Sequence, residues 1–321
     1  MKLPFAGRLL AAAVLAAASA SAALPLSSAF ADDSAAKPKV GLVMKSLANE
    51  FFVTMQDGAK DYQKAHAADF DMITNGIKNE TDTSAQIDIV NQMILAKVNA
   101  IVIAPADSKA LVNVLKKASD AGIKVVNIDN RLDPEVLKSK NLEVPFVGPD
   151  NRKGSRLVGE YLAKQLASGD KVGIIEGVPT TTNAQQRTAG FKDAMDGAGM
   201  KIVSVQSGNW EIDQGNKVAA AMLSEHPDLK ALLAGNDNMA LGAVSAVRAA
   251  GKAGKVQVVG YDNIAAIKPM LKDGRILATA DQAAAQQAVF GIQNALKLVK
   301  GEKVESVDGV IETPVELVLK Q

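Results

Sequence analysis

Short apolar runs alternate with longer amphipathic segments along most of the chain, beginning at Lys39. The short runs match buried strands, whereas the longer segments carry apolar residues at helical spacing. In the first half, the pattern predicts strands at residues 40–44, 70–74, 100–104, 124–128 and 144–147, and helices at 51–66, 82–96 and 108–121. This alternation is typical of a parallel sheet with helices on both faces.

The same alternation restarts after a turn at residues 148–151. It predicts strands at 171–175, 201–205, 229–234 and 256–260, and helices at 152–166, 182–198, 213–224 and 237–250. Residues 129–141 interrupt the pattern with turn formers and lysines, so we expect an exposed loop there. We therefore predict an α/β protein of two similarly built domains that meet near Val147.

The tail predicts a helix at 264–271, a strand at 276–280, a long helix at 282–300 and a last strand at 315–319. If the long helix returns to the first domain and the last strand to the second, the chain crosses between the domains three times. Three crossings would form a hinge. The pattern alone leaves that return open.

The first predicted strand leads directly into a helix that begins on two aromatic residues. Its turn contains Asn49, and Phe51 and Phe52 follow. Ligands of open α/β sheets bind at the carboxyl ends of the strands, so this stretch is a candidate site. The alternative is that both phenylalanines belong to the core, as most aromatics at helix starts do.

The first 31 residues have the composition of a secretory signal peptide. Lys2 and Arg8 precede an apolar stretch, and a small-x-small cleavage site ends at Ala31. A membrane anchor is the alternative, but the apolar stretch is shorter than the ~20 residues that a spanning helix needs. We expect cleavage after Ala31 and a periplasmic mature protein of about 290 residues.

Charge and rare residue types exclude several functions. The chain has no cysteine, which excludes disulfides, thiolate metal sites and a cysteine nucleophile. Without Lys2 and Arg8, 34 basic residues face 35 acidic ones, so nothing indicates nucleic-acid binding. The two histidines, His66 and His226, are far apart in polar helical segments, and we expect solvated or capping roles for both. No metal and no cofactor is expected, and the phosphate-binding glycine motifs are absent.

Polar or aromatic side chains follow the carboxyl ends of many predicted strands. Each alone is explained by a turn or a helix cap. Together they combine carboxylates, amides and a guanidinium for hydroxyl groups with flat rings for apolar faces, the mixture that a neutral polyhydroxylated ligand needs. These residues are Asn49, Phe51, Phe52, Asp129, Asn130, Arg187, Trp210, Asn236, Asp262 and Gln282.

The chain resembles the ribose-type periplasmic sugar-binding proteins, the solute-binding components of ABC importers. The resemblance covers residues 39–321 and is carried by Asn49-x-Phe51-Phe52, Pro105-x-Asp107-Ser108, Asn236-Asp237-x-Met239-Ala240-x-Gly242-Ala243, Val259-Gly260-Tyr261-Asp262 and Ala278-Thr279-x-x-Gln282. It implies two Rossmann-like lobes with parallel sheets, joined by a three-strand hinge. The implied boundaries are residues 32–147 with 282–312 for the first lobe, and 148–281 with 313–321 for the second.

The resemblance also implies roles for the candidate residues. Asp129 and Asp262 would accept from sugar hydroxyls, Arg187 would donate, and the amides would do both. The phenylalanines and Trp210 would enclose the carbon skeleton. The remaining positions implied as contacts are Asn49, Asn236 and Gln282, with Asn130 beside Asp129.

The sequence departs from the ribose pattern in four places. Glu50 stands where proline is usual, Ala104 replaces an asparagine, Trp210 replaces a phenylalanine, and Asn130 separates Asp129 from Arg131. These changes leave ribose, a hexose, a cyclitol and a linear polyol open as ligands.

We therefore expect a monomeric periplasmic protein that captures a neutral sugar or polyol by lobe closure and delivers it to the membrane permease of an ABC importer. It would not be an enzyme. One alternative is a sugar sensor that presents its ligand to a chemoreceptor or a sensor kinase. A sugar-acting enzyme is another, since Asp129 and Asp262 could form the carboxylate pair of a glycosidase. A transcriptional regulator would need a DNA-binding segment in place of the leader.

Overall fold

The computed structural model describes residues 37–320. The predicted leader and its predicted cleavage site therefore lie outside the described residues. Within the described range, no helix has both the length and the apolar character needed to cross a membrane.

The first run of elements builds one sheet and most of its helices. In chain order it consists of β1 (Lys39–Ser46), α1 (Glu50–Ala65), β2 (Asp71–Ile77), α2 (Thr83–Leu95), β3 (Ala100–Ile103), α3 (Val112–Asp120), β4 (Lys124–Ile128), α4 (Pro134–Ser139) and β5 (Phe146–Pro149). Asn49 caps α1 by accepting from Phe51 N, and Asp82 caps α2 by accepting from Ala85 N.

The second run has the same construction. It consists of α5 (Asn151–Ala163), β6 (Lys171–Glu176), α6 (Thr182–Gly197), β7 (Lys201–Ser207), α7 (Ile212–Glu225), β8 (Ala231–Ala234), α8 (Asp237–Ala249) and β9 (Gln257–Val259). A 3₁₀ turn at Ala265–Ile267 follows and leads into α9 (Lys268–Asp273). The tail adds β10 (Ala278–Asp281), α10 (Ala284–Val299), β11 (Val310–Thr313) and β12 (Glu316–Leu319).

The strands form two six-stranded sheets, one in each lobe. The first sheet has the order β11-β5-β4-β3-β1-β2 and the second β12-β10-β9-β8-β6-β7. The pairings are parallel except between β10 and β12, which are antiparallel. The predicted fold, two lobes with parallel sheets, is confirmed.

The chain crosses between the lobes at three places among the described residues. It leaves the first sheet after β5, returns after β10 through α10, and crosses again between β11 and β12. Helix α10 packs on α1, β3 and β4. The open question about the tail is thereby answered in favour of a three-strand hinge. The exact residues at which each lobe was predicted to end stay a prediction.

The central strands, such as β3 and β8, are apolar because both faces of each sheet are covered there, whereas the edge strands β2 and β7 carry polar and half-exposed residues. In β1, Leu42 and Met44 join one buried cluster, while Val43 between them joins a cluster on the opposite face. Gly58 on α1 lets α10 approach closely, since a Cβ there would lie 2.5 Å from Ala285 Cβ.

The sequence prediction was wrong at residues 129–141. The segment is not an exposed loop, because Asp133 caps the short helix α4 and Asp129, Asn130 and Leu132 are buried. The helix expected from residue 108 begins only at Val112, since Asp107 uses its carboxylate for a turn with Lys109 N and Ala110 N. Strand β11 was not predicted.

Candidate functional site

The carboxyl ends of the two sheets face each other and enclose a buried cavity of about 10 Å³. That is room for about one water molecule, so the lobes are closed on each other and must move apart before a sugar ring can enter. Every side chain on its wall is buried. The lining residues are Lys45, Asn49, Phe51, Phe52, Glu80, Asp129, Asn183, Arg187, Trp210, Asn236, Asp262 and Gln282.

The turn between β1 and α1 places two aromatic rings on the first-lobe wall. Asn49 fixes the turn, because its Oδ1 accepts from Phe51 N at 3.1 Å and its Nδ2 donates to Glu80 Oε1 at 3.0 Å. Phe51 and Phe52 meet edge to face with their centroids 5.1 Å apart. The rings thus serve both as core, in the cluster around Leu42, and as cavity wall.

A buried ion pair lies beside these rings. Lys45 Nζ is 3.1 Å from Glu80 Oε2, and both side chains are 2% exposed or less. The ammonium also lies 5.3 Å from the Phe52 centroid and 5.4 Å from that of Trp210, so it bridges rings of both lobes. Burial raises the pKa of the Glu80 carboxyl, and Lys45 opposes only part of that rise.

Lys45 and Glu80 were not predicted from the sequence. Lys45 could have been found from the sequence, because it is a charged residue that directly follows the apolar residues of β1. A strand buried on both faces makes that position buried, and a buried charge is unusual outside a functional site. Glu80 could not be found in this way, since it follows the turn after β2 and only the fold brings it to Lys45.

Asp129 follows β4 with a left-handed backbone, at φ 62°. Its Oδ2 is buried and has no hydrogen-bond partner within the described part of the chain. Burial raises the pKa of this carboxyl, while Lys45 and Arg187 act in the opposite direction. A buried acceptor without a partner costs about 1–3 kcal/mol, and a ligand hydroxyl on the cavity side would supply the missing donor.

Arg187 on α6 is the centre of a second-lobe network. Its Nε donates to Asn151 Oδ1 at 2.7 Å, and its NH1 donates to Gly235 O at 2.9 Å and to Asp262 Oδ1 at 3.4 Å. The guanidinium lies 3.8 Å from the centroid of the Tyr261 ring. This planar cation is therefore held on several sides before any ligand arrives.

Asp262 joins that network from the turn after β9. Its Oδ1 accepts from Gln282 Nε2 at 2.7 Å, and its backbone is left-handed, with φ 118°. Burial raises the pKa of Asp262 to about 7, with Arg187 opposing and Asp129 adding to the rise. Three carboxylates (Glu80, Asp129 and Asp262) thus share the cavity wall with two cations (Lys45 and Arg187).

Trp210 covers the cavity from the second lobe. Its φ of 68° is rare for a bulky residue and marks backbone strain of the kind that concentrates at functional sites. Gly177 makes room for the indole, because a Cβ there would lie 2.0 Å from a ring carbon. Asn236 holds the backbone by donating from Nδ2 to Trp210 O at 3.1 Å.

Nine of the ten residues predicted from strand ends line this one cavity. Asn130 does not. Its Nδ2 donates to Pro105 O at 2.9 Å, while its Oδ1 accepts from Ser108 Oγ and Asn183 N at 3.3 Å each. Asn130 therefore contacts both lobes and does not face the cavity. The left-handed backbone of Asp129 turns the Asn130 side chain away from the cavity that the Asp129 side chain lines.

Comparisons with known proteins agree with the fold and with the class of site. The family model described as "Periplasmic binding protein domain" matches residues 40–303. The D-ribose/D-allose-binding protein of Pseudomonas aeruginosa is 75% identical over 312 residues, which cover 97% of each chain.

Two solved structures are similar as well. An ABC transporter solute-binding protein of Burkholderia multivorans, crystallised with an unknown ligand, is 74% identical with a TM-score of 0.85, over 88% of this chain and all of the other. A periplasmic solute-binding protein of Actinobacillus succinogenes with bound D-allose is 36% identical with a TM-score of 0.82, over 88% of this chain and 98% of the other.

Proposed function

The chain belongs to the periplasmic binding protein family, and we propose that its own ligand is a single D-aldose of the ribose and allose type. Proteins of this family that resemble it bind sugars for ABC import. The chain accordingly captures a neutral sugar or polyol between its lobes and delivers it to an ABC importer.

The observation that carries the choice of ligand is the chemistry of the cavity wall. Carboxylates from both lobes, Asp129 and Asp262, line the same cavity together with Arg187. A ring with several adjacent hydroxyls satisfies such a wall, because each hydroxyl can donate to a carboxylate and accept from a guanidinium or an ammonium.

D-Ribose and D-allose share the configuration of their hydroxyls at C2, C3 and C4. In the pyranose forms they differ only by the hydroxymethyl group on C5. A site that reads the shared hydroxyls and encloses the ring between Phe52 and Trp210 would accept both. The relative that is 75% identical is named for both sugars, which supports this proposal.

Lys45 and Glu80 extend the predicted set of contacts. The Lys45 ammonium has three donors, of which the Glu80 ion pair uses part, so it can also donate to a sugar oxygen. In our proposal Asp129 and Lys45 bind from the first lobe, Arg187 and Asp262 from the second and Gln282 from the hinge, while Phe51, Phe52 and Trp210 pack on the C–H faces.

Entry requires the lobes to separate, because every residue of the wall is buried. We propose an open and a closed state related by rotation about the three hinge strands. A sugar that contacts both lobes favours the closed state by its differential affinity.

The matching family model is that of a periplasmic binding protein domain, and the neighbour from Actinobacillus succinogenes is described as periplasmic. We propose that this chain is periplasmic too and that its predicted leader is removed after Ala31. We also propose a monomer that is not an enzyme and serves import. None of the relatives named above is described as a sensor, so the chemoreceptor alternative gains no support.

Two pairs of sugars test whether the site selects the hydroxyl configuration that D-ribose and D-allose share. D-Xylose differs from D-ribose, and D-glucose from D-allose, only at C3. We expect ribose and allose to raise the melting temperature and each C3 epimer to bind at least about tenfold more weakly, since one buried hydroxyl loses its partners. Inositols and alditols complete the panel. A melting temperature that no sugar raises would contradict sugar binding itself, whereas equal binding of the epimers would contradict only the ribose and allose type.

A further inference from the structure

Glu50 is one of the departures from the ribose pattern, and its side chain contacts the second lobe. It is the first residue of α1, and it stands where the ribose-type proteins usually have proline. Its Oε1 accepts from Ala265 N at 2.8 Å and its Oε2 from Ala266 N at 3.1 Å. These two amides begin the 3₁₀ turn of the second lobe, which has no side-chain cap of its own. Proline has no side-chain acceptor and could not make this contact.

Glu211 makes the reciprocal contact. It stands at the N-cap position of α7 in the second lobe, but its side chain does not cap that helix. Instead its Oε1 accepts from Glu80 N of the first lobe at 3.1 Å. The amide that it holds belongs to the residue whose carboxylate pairs with Lys45 and Asn49 in the cavity.

The sheet orders place the Glu211 contact far from the hinge. The hinge segments adjoin β5 and β11 of the first sheet and β10 and β12 of the second. Glu80 follows β2 and Glu211 follows β7, the strands at the opposite edges of the two sheets. Opening about the hinge must therefore separate Glu211 from Glu80 by one of the longest displacements in the molecule.

Neither glutamate lines the sugar cavity. Both contacts join the lobes, so they exist only when the lobes are together. We propose that Glu50 and Glu211 are reciprocal latches of the closed state, which set how long a bound sugar is held without taking part in its recognition. This inference rests on the proposed binding of a sugar by lobe closure.

A latch has a kinetic signature that a sugar contact lacks. Because the latches must break before the lobes open, their loss speeds dissociation. Because they do not touch the ligand, their loss weakens every sugar by the same factor. A residue that contacts hydroxyls would instead change the ratio of the affinities for different sugars.

The test measures ribose and allose with Glu50→Ala, Glu211→Ala and the double variant. Emission of Trp210, the single tryptophan of the chain, reports dissociation in a stopped-flow chase. We expect each single variant to dissociate about three- to tenfold faster, because the hydrogen bonds that it loses are exposed or half-buried and are worth less than buried ones, and the double variant to show about the product. The ratio of ribose to allose affinity should stay that of the wild type.

Glu143→Ala is the matched control, because Glu143 is an exposed glutamate of the first lobe without a hydrogen bond or an ion pair among the described residues. Glu50→Gln should lie between wild type and Glu50→Ala, since an amide oxygen keeps one acceptor. Urea unfolding of the sugar-free variants checks that they fold.

Unchanged dissociation in both alanine variants, or a changed ratio between the two sugars, would overturn the latches. A wild-type protein that binds neither sugar would instead overturn the proposed function.

Discussion

The two lobes build their halves of the cavity differently. In the second lobe, Arg187 and Asp262 are joined to each other and to Asn151, and Gln282, which follows β10 at the hinge, donates to Asp262; these hydrogen bonds are 2.7–3.4 Å long. In the first lobe, Asp129 shares the cavity wall with the Lys45–Glu80 ion pair but keeps a buried oxygen without a partner among the described residues. The Asp262 carboxylate is therefore already held in a network, whereas the Asp129 carboxylate is an acceptor that a ligand can satisfy.

This difference separates residues that organise the site from residues that only contact the ligand. Removing a member of the second-lobe network should disturb its neighbours as well as the sugar. Removing the Asp129 charge should affect the sugar alone. Substitutions at Arg187 and at Asp129 should therefore differ in their effect on the sugar-free protein.

Arg187→Ala should have the largest effect. It leaves Asn151 Oδ1 without its donor and the buried Asp262 carboxylate without its cation, with only Gln282 still donating to it, and breaking a buried pair costs about 3–5 kcal/mol. We expect an affinity loss of at least about a hundredfold, measured by isothermal titration, and a lower free energy of unfolding for the sugar-free protein. Asp262→Ala should weaken binding to a similar extent. Near wild-type affinity in both variants would contradict the site.

Asp129→Asn should weaken binding without destabilising the sugar-free protein. The amide removes one acceptor for the ligand, so we expect an affinity loss of about ten- to a hundredfold, the cost of a charge-assisted hydrogen bond. Because burial already raises the pKa of this carboxyl, replacing it by a neutral amide should leave the urea midpoint of the sugar-free protein unchanged or higher. A lower urea midpoint would show that Asp129 stabilises the sugar-free protein as Arg187 does, and would contradict the difference between the two lobes.

Gly177→Ala tests the aromatic cover of the second lobe. The added Cβ would lie 2.0 Å from the Trp210 ring and must displace the indole. We expect an affinity loss of roughly three- to thirtyfold and a shifted tryptophan emission, because stacking of the ring on the sugar is impaired. Gly197→Ala is the matched control, since a Cβ there meets nothing within 4 Å. Equal effects of the two substitutions would exclude a role for the indole position.

The pH dependence of stability should show the smallest effect. The pKa of Asp262 is raised to about 7, well above that of an unfolded aspartate. The folded protein thus keeps a proton between these two pKa values that the unfolded chain has lost, so stability falls as the pH rises through 7. We expect a loss of about 1 kcal/mol between pH 6 and pH 8 in sugar-free protein, measured by urea unfolding, and a flatter profile for Asp262→Asn. A free energy of unfolding that rises between pH 6 and pH 8 would contradict a raised pKa for Asp262.

Much of the fold could be predicted from the chain because each strand is a short apolar run between helical segments. The exceptions have local causes. Strand β11 is short and has a single buried residue, Thr313, and the turn formers Asp308 and Gly309 precede it, so the segment looks like a loop. The segment at 129–141 looks like a loop because its polar residues cap α4 and serve the site instead of facing solvent.

The site was predictable where a residue directly follows a strand, since the carboxyl ends of parallel strands meet at one edge. Asp129 follows β4 directly, Trp210 and Asp262 follow β7 and β9 within three residues, and all three have left-handed backbones. Glu80 is equally close to the end of β2, but it was missed because the predicted strand ended at residue 74 instead of Ile77 and because only tertiary contacts bring it to Lys45. The lobe-to-lobe roles of Glu50, Glu211 and Asn130 were hidden for the same reason.

A crystal structure of the protein grown with D-allose would show directly whether both lobes bind the sugar. We expect one sugar ring between Phe52 and Trp210, with hydroxyls within hydrogen-bond distance of Asp129 from the first lobe and of Arg187 and Asp262 from the second. A sugar bound elsewhere, or one held by the residues of a single lobe, would contradict this expectation.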